Sequence, residues 1–188
     1  MSGTSPLAVQ FTGSQSYDPN GDNLTYSWDF GNGGASNEQN PQYTFTTGGN
    51  NPQRFDVTLT VSDGSLSSTA ELTVSLNNTA PVINSTSIDN INSFSYENGR
   101  TLNLSANVSD AEHSTGSLQF QWIVELHHND HFHQEPAITS QTATTVLSPI
   151  GCDGATYWYR VKLIVTDPAG LFSIYEKDIF PNCPGSNQ

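Results

Sequence analysis

Three stretches of this chain occur twice in the same order, and that repetition limits the possible fold more than any other feature. AVQFTGSQSYDPNGD (Ala8 to Asp22) corresponds to TLNLSANVSDAEHSTG (Thr101 to Gly116), and NLTYSWDF (Asn23 to Phe30) to SLQFQWIV (Ser117 to Val124). The third pair is FDVTLTVSDGSLSS (Phe55 to Ser68) and YRVKLIVTDPAGLFS (Tyr159 to Ser173). Trp28 and Trp122 fall at matching places. A chain of 188 residues in which one plan recurs reads as two similar domains.

Within each copy apolar and polar residues alternate with period two between clusters of Gly, Pro, Asn and Asp, the pattern of short antiparallel strands with one buried face. No stretch carries a helical period. About seven short strands per copy, with a Trp near the start of a central strand, predict an all-β fold of two tandem immunoglobulin-like β-sandwiches. The expected domains are residues 1–79 and 80–184, with Asn77-Asn78-Thr79-Ala80-Pro81 as the link between them, and residues 185–188 as the start of a flexible linker.

Composition then removes whole classes of partner. Five Lys and Arg stand against 18 Asp and Glu, for a net charge of −13. Neutralising nucleic-acid phosphates or an anionic membrane surface needs the opposite balance, so neither partner is expected. No apolar run approaches a membrane span, and no signal-peptide pattern follows Met1. Ser, Thr, Asn and Gln replace much of the usual charged surface, as in secreted β proteins, so a monomer in a secreted or cell-surface setting is expected.

The first half resembles the PKD (polycystic kidney disease) domain. The resemblance rests on Trp28-Asp29-Phe30-Gly31-Asn32-Gly33, on the acidic loop Asp18-Pro19-Asn20-Gly21-Asp22, and on Asn40-Pro41, Tyr43, Phe55-Asp56-Val57 and Val61-Ser62-Asp63-Gly64. It spans about residues 3–76, and Asn32 stands where the family's turn has Asp. The resemblance implies a non-catalytic sandwich beside enzyme modules of a secreted protein. The second half, through Trp122, His127-His128-Asn129-Asp130-His131-Phe132-His133 and Tyr159-Arg160-Val161, resembles a PKD-related module of glucose/sorbosone-dehydrogenase-like secreted proteins. Those carry an HHNxHxH string before a proline, whereas here Gln134 and Glu135 precede Pro136. The implication is an accessory segment of a larger carbohydrate-active or redox protein, with the parent's enzyme domains in cis.

The histidine run is the main chemical signal. Alternation along a strand gives His127, His131 and His133 one parity, and imidazoles so grouped suit zinc or copper. Glu135 could add a carboxylate. If Asn129-Asp130 is a turn instead, then His127 or His128 faces the pair from a hairpin partner. The candidate metal set is therefore His127, His128, His131, His133 and Glu135. Asp18, Asn20 and Asp22 space oxygen ligands as in the first half of a calcium loop, without the distal Glu. The competing explanation is a turn whose Asp and Asn cap their own backbone. Asp110 and Glu112, with His113 beside them, occupy the equivalent loop of the second copy and read as structural.

The repeat also sorts inside from outside. Phe55, Val57, Leu59 and Val61 form the buried parity of a strand whose counterparts are Tyr159, Val161, Leu163 and Val165, so Trp158, Arg160 and Lys162 point outward. Glu125 lies outward on a strand expected to pair with it. Trp158, Arg160, Lys162 and Glu125 make a candidate ligand face for carbohydrate or another extracellular partner, unless other side chains cover the indole. The turn at Asp167-Pro168-Ala169-Gly170 sets a hairpin register that brings Cys152 and Cys183 within about three residues of direct opposition. A Cys152–Cys183 disulfide and an oxidising compartment are expected. Two functions follow: a non-catalytic accessory pair, PKD spacer plus carbohydrate- or partner-binding sandwich, or a metal-binding module built on His127 to His133. No catalytic constellation is apparent, so no enzyme is expected.

Overall fold

The computed structural model describes residues 1–152 and 157–183. The linker expected at 185–188 lies outside the described residues. The chain forms two compact units, Met1–Thr79 with Ala169–Leu171, and Ala80–Pro168 with the chain from Phe172 on.

Seven strands build the first unit: β1 (Ser2–Gly3), β2 (Leu7–Gln10), β3 (Thr25–Asp29), β4 (Ala35–Ser36), β5 (Gln42–Phe45), β6 (Gln53–Ser62) and β7 (Ser67–Leu76). One sheet has the order β1-β7-β6-β3-β4, and β2 pairs with β5 in the other. Alternation decides which side chains meet between them. Trp28 from β3, Phe55, Val57 and Leu59 from β6 and Val74 from β7 are buried against Val9 and Phe45 of the facing pair. The indole of Trp28 donates to the Glu38 carbonyl at 3.0 Å, so its one polar atom costs nothing in the core.

The second unit repeats the plan with β8 (Val82–Thr86), β9 (Ser93–Phe94), β10 (Arg100–Leu104), β11 (Ala106–Ser109), β12 (Gln119–His128), β13 (His131–Gln134), β14 (Ala143–Leu147), β15 (Tyr157–Thr166) and β16 (Phe172–Pro181). Its main sheet has the order β13-β12-β15-β16-β9, opposed by the pairs β8/β11 and β10/β14. In both units a two-residue strand near the start runs parallel to the last strand, β1 on β7 and β9 on β16. Both are immunoglobulin-like β-sandwiches. Trp122 is fully enclosed between the layers with Val124, Val161, Leu163, Val165 and Ile179 on its own sheet and Leu102, Leu104, Val108 and Leu147 opposite.

The β15–β16 hairpin pairs Thr166 with Phe172 at the turn and Tyr159 with Ile179 near its open end. That register brings Cys152 and Cys183 together, and they form a disulfide with Cα atoms 5.5 Å apart. The bridge closes a sequence separation of 31 residues around the two strands. By loop-closure entropy it stabilises this unit by roughly 3–4 kcal/mol. A Cys152→Ser/Cys183→Ser variant should lose about that much in urea unfolding of the second unit, and unchanged stability would contradict the account. Trp122→Ala should cost about 3–5 kcal/mol in the same experiment, through the cavity it leaves.

Candidate metal centre

Strand β12 runs past the sandwich and turns back on itself. His128 pairs with His131, His127 with Phe132, Leu126 with His133 and Glu125 with Gln134. The two-residue turn between the strands is Asn129-Asp130, with Asn129 at φ 52°, a backbone region that Asn tolerates better than most residues. Beyond β13 the chain stays tied to β12, because Glu135 N–H donates to the Val124 carbonyl and Trp122 and Ile138 exchange a pair of backbone bonds. The hairpin is thus fixed at its base by the buried strand that carries Trp122.

The turn decides which histidines meet. In a continuous strand His127 would share a face with His131 and His133, but the reversal at Asn129-Asp130 puts His128 there instead. His128, His131 and His133 each offer a ring nitrogen, and these atoms all lie within 4.8 Å of one another. The Nε2 atoms of His128 and His133 are 3.0 Å apart. The His128 ring lies 4.0 Å from that of His131 and is stacked on Tyr157 at 5.1 Å, centroid to centroid. Its Nδ1 is enclosed without a hydrogen-bond partner. Partial burial, and then the neighbouring His131 and His133, hold His128 below the ordinary imidazole pKa, with Asp130 opposing them. His127 and Glu135 do not join this group. His127 is on the opposite face, and Glu135 is exposed past the end of β13.

That opposite face is organised in rows across the strands. Phe132, His127, Trp158 and Phe180 form one row, with near-parallel rings at centroid distances of 5.2, 4.9 and 6.4 Å in turn. Below it, Arg160 grips Asp178 through two bonds of 2.7 and 2.9 Å. Glu125 is only 3% exposed and accepts from Lys162 at 2.9 Å, with His127 Nε2 also at 2.9 Å. Burial alone would raise its pKa, but the Lys162 ammonium and His127 outweigh that and hold the carboxyl below its usual value. All four residues expected to present a ligand face, Trp158, Arg160, Lys162 and Glu125, are engaged with one another or with their neighbours across the sheet. Trp158 stands half-buried between His127 and Phe180, with its indole near-parallel to both rings.

In the first unit the turn Asp29–Gly34 is held by its own side chains. Gly31 N–H donates to Asp29 and Gly34 N–H to Asn32, whose oxygen also accepts from Tyr43. Gly31 has φ +73°, and a Cβ there would lie 2.6 Å from the Asp56 carbonyl oxygen, so only glycine fits. This is the segment on which the family resemblance rests, and the comparison with known families decides it. Residues 2–77 match the PKD domain model. Among solved structures, the chain is similar to a chimeric titin Z1Z2 tandem (11% identity over 97% of this chain and 94% of that one, TM-score 0.39). It is also similar to human protocadherin-24 EC1-2 (16% identity over 90% and 85%, TM-score 0.33). An endo-fucoidan hydrolase of glycoside hydrolase family 107 matches at 17% identity and TM-score 0.33, over 97% of this chain. The chain spans 27% of that hydrolase's length.

The acidic loop of the PKD domain is an Asx turn. Asp18 Oδ1 accepts from the N–H groups of Asn20 at 2.7 Å and Asp22 at 3.1 Å. Asp18 and Asp22 approach a third carboxylate, that of Asp63, which immediately follows β6. The second unit has the same arrangement at corresponding places, with Asp110, His113 and Asp167 brought together. Sequence reading passed over Asp63 and Asp167, although the repeated Val-Ser-Asp and Val-Thr-Asp strand ends mark both.

Arg160 holds Asp178 below the usual carboxylate range. A lowered folded-state pKa gives stability that is complete above the unfolded value near 3.8 and is lost as pH falls through the folded one. The pair is about one-third exposed, so its worth is limited to about 1 kcal/mol. Asp178→Asn should therefore lower the urea midpoint at pH 7 by that equivalent, and the difference from wild type should shrink as pH falls below the unfolded value near 3.8.

Proposed function

We propose that this chain is a non-catalytic accessory segment of a secreted multidomain protein, in which the PKD domain is a spacer and the second sandwich binds zinc or copper through His128, His131 and His133. The convergence of three imidazole nitrogens within 4.8 Å supports this reading. A tetrahedral ion with metal–nitrogen bonds of about 2.0–2.1 Å has its ligand atoms roughly 3.3 Å apart, close to the 3.0 Å between the Nε2 atoms of His128 and His133. Small rotations of the exposed His131 and His133 rings toward the half-buried His128 would complete the set. Neutral imidazoles favour borderline ions such as zinc and copper over calcium or magnesium. Three protein ligands leave a coordination position for water or an outside donor, which suits delivery or docking at the exposed hairpin tip.

The disulfide fits an oxidising, extracytoplasmic setting. Among the described residues no helix is long and apolar enough to cross a membrane. A carbohydrate or other extracellular ligand on the outward face would draw on Trp158, which is half-buried beside His127 and Phe180. The parent protein's chemistry, carbohydrate-active or redox, belongs to domains beyond these two sandwiches.

Metal content after dialysis against zinc or copper tests the proposal. His131→Ala/His133→Ala should lose about one equivalent of metal relative to wild type, whereas His127→Ala, on the other face, should keep it. Equal metal in wild type and the double variant would defeat the reading, and loss in His127→Ala would place the ion on the wrong face.

A further inference from the structure

We infer that the second sandwich holds a second divalent transition ion, independent of the histidine hairpin, between Asp110, His113 and Asp167. Asp110 and His113 lie in the connection after β11, and Asp167 immediately follows β15. Their ligand atoms lie within 4.8 Å of one another. Asp110 is completely enclosed, at 0% side-chain exposure, and Asp167 is 3% exposed.

Oδ1 of Asp110 is well provided for. It accepts from the N–H groups of Glu112 at 2.9 Å and His113 at 2.7 Å, and the His113 Nδ1 is 3.1 Å away. Oδ2 is buried with no hydrogen-bond partner. Since the two oxygens of a carboxylate are neighbours, this bare oxygen lies beside the same cluster. An enclosed carboxylate oxygen with no donor loses its hydration, a cost that proteins meet by pairing, by protonation or by a cation. The imidazole of His113 is the one group able to carry positive charge that contacts Asp110 among the described residues.

The contrast with the PKD domain sharpens the inference. There the corresponding residues Asp18, Asp22 and Asp63 are partly or fully open to solvent, and water can hydrate their charges. In the second sandwich the same place in the repeat is less open, with Asp167 buried and the Asp110 carboxyl covered, and one carboxylate is replaced by an imidazole. Two carboxylates with one imidazole form a mixed oxygen and nitrogen set of the kind that holds zinc, manganese or ferrous iron, and the nitrogen disfavours calcium. In such a site Asp110 and Asp167 supply the charge, and His113 supplies the selectivity.

The probe is zinc, measured on the full chain by metal content after dialysis and by the zinc-dependent shift in thermal midpoint. In the His131→Ala/His133→Ala background, which lacks the hairpin site, about one zinc should remain and should raise the midpoint. Adding His113→Ala should remove both the zinc and the shift. His113 is at the rim of the cluster, so this variant should keep its fold, as judged by near-ultraviolet circular dichroism. Asp110→Asn in the same background is a second variant, expected to lose zinc in the same way. Zinc retained after His113→Ala, no zinc in the double-variant background, or binding of calcium in preference to zinc would each overturn the inference. A proton shared between the carboxylates, the competing means of neutralisation, gives the second of these results. Failure of the hairpin reading has a separate signature, unchanged metal content on passing from wild type to His131→Ala/His133→Ala.

Discussion

The pairing of β12 with β15 is the constraint from which the second sandwich follows. It runs unbroken from Gln119 opposite Thr166 to His128 opposite Tyr157. With that register fixed, Phe120, Trp122 and Val124 must face the core together with Val161, Leu163 and Val165, and a one-residue slip would turn all of them toward solvent. The same register lines up His127 with Trp158 and Glu125 with Arg160 on the other side. It also projects the last residues of β12 beyond the core, where the buried parity continues into His128. The histidine cluster is thus the end of the core face, extended past the layer that would have covered it.

Much of this was legible from the order of residues alone. Period-two alternation separated Tyr159, Val161, Leu163 and Val165 from Trp158, Arg160 and Lys162, because a strand leaves no third direction for a side chain. The hairpin turn at Asp167-Pro168-Ala169-Gly170 was enough to bring two distant cysteines together. The parity of the histidines was not legible in the same way. It depends on whether two residues, Asn129 and Asp130, continue a strand or reverse it, and the answer exchanges His127 for His128. The fate of Trp158 was equally hidden. Its neighbours Phe132, His127 and Phe180 come from three other strands, and only their registers stack them in one row.

The two sandwiches show how one plan diverges. Both keep a tryptophan on the central strand, a short parallel strand at the sheet edge and an acidic corner that joins a loop to the end of a long strand. In the PKD domain that corner is more open, and Asp18 and Asp63 each accept from the backbone of their own turns. In the second sandwich it is less open and includes an imidazole. Non-local partners such as Asp63 and Asp167 escape a reading based on local spacing, since the loop motif supplies only part of each group and the strand end supplies the rest.

The disulfide has a mechanical meaning as well as a thermodynamic one. A load pulling on the second sandwich between its first strand and a point beyond Cys183 passes from Cys152 to Cys183 through the covalent bridge. The intervening chain, which includes β15 and β16, is then outside the path of tension. Roughly 100 Å of contour length stays locked in when the rest of the domain is drawn out. Under strain the protein would extend from its amino-terminal strands, while the hairpin carrying Arg160, Lys162 and Asp178 stayed slack behind the bridge.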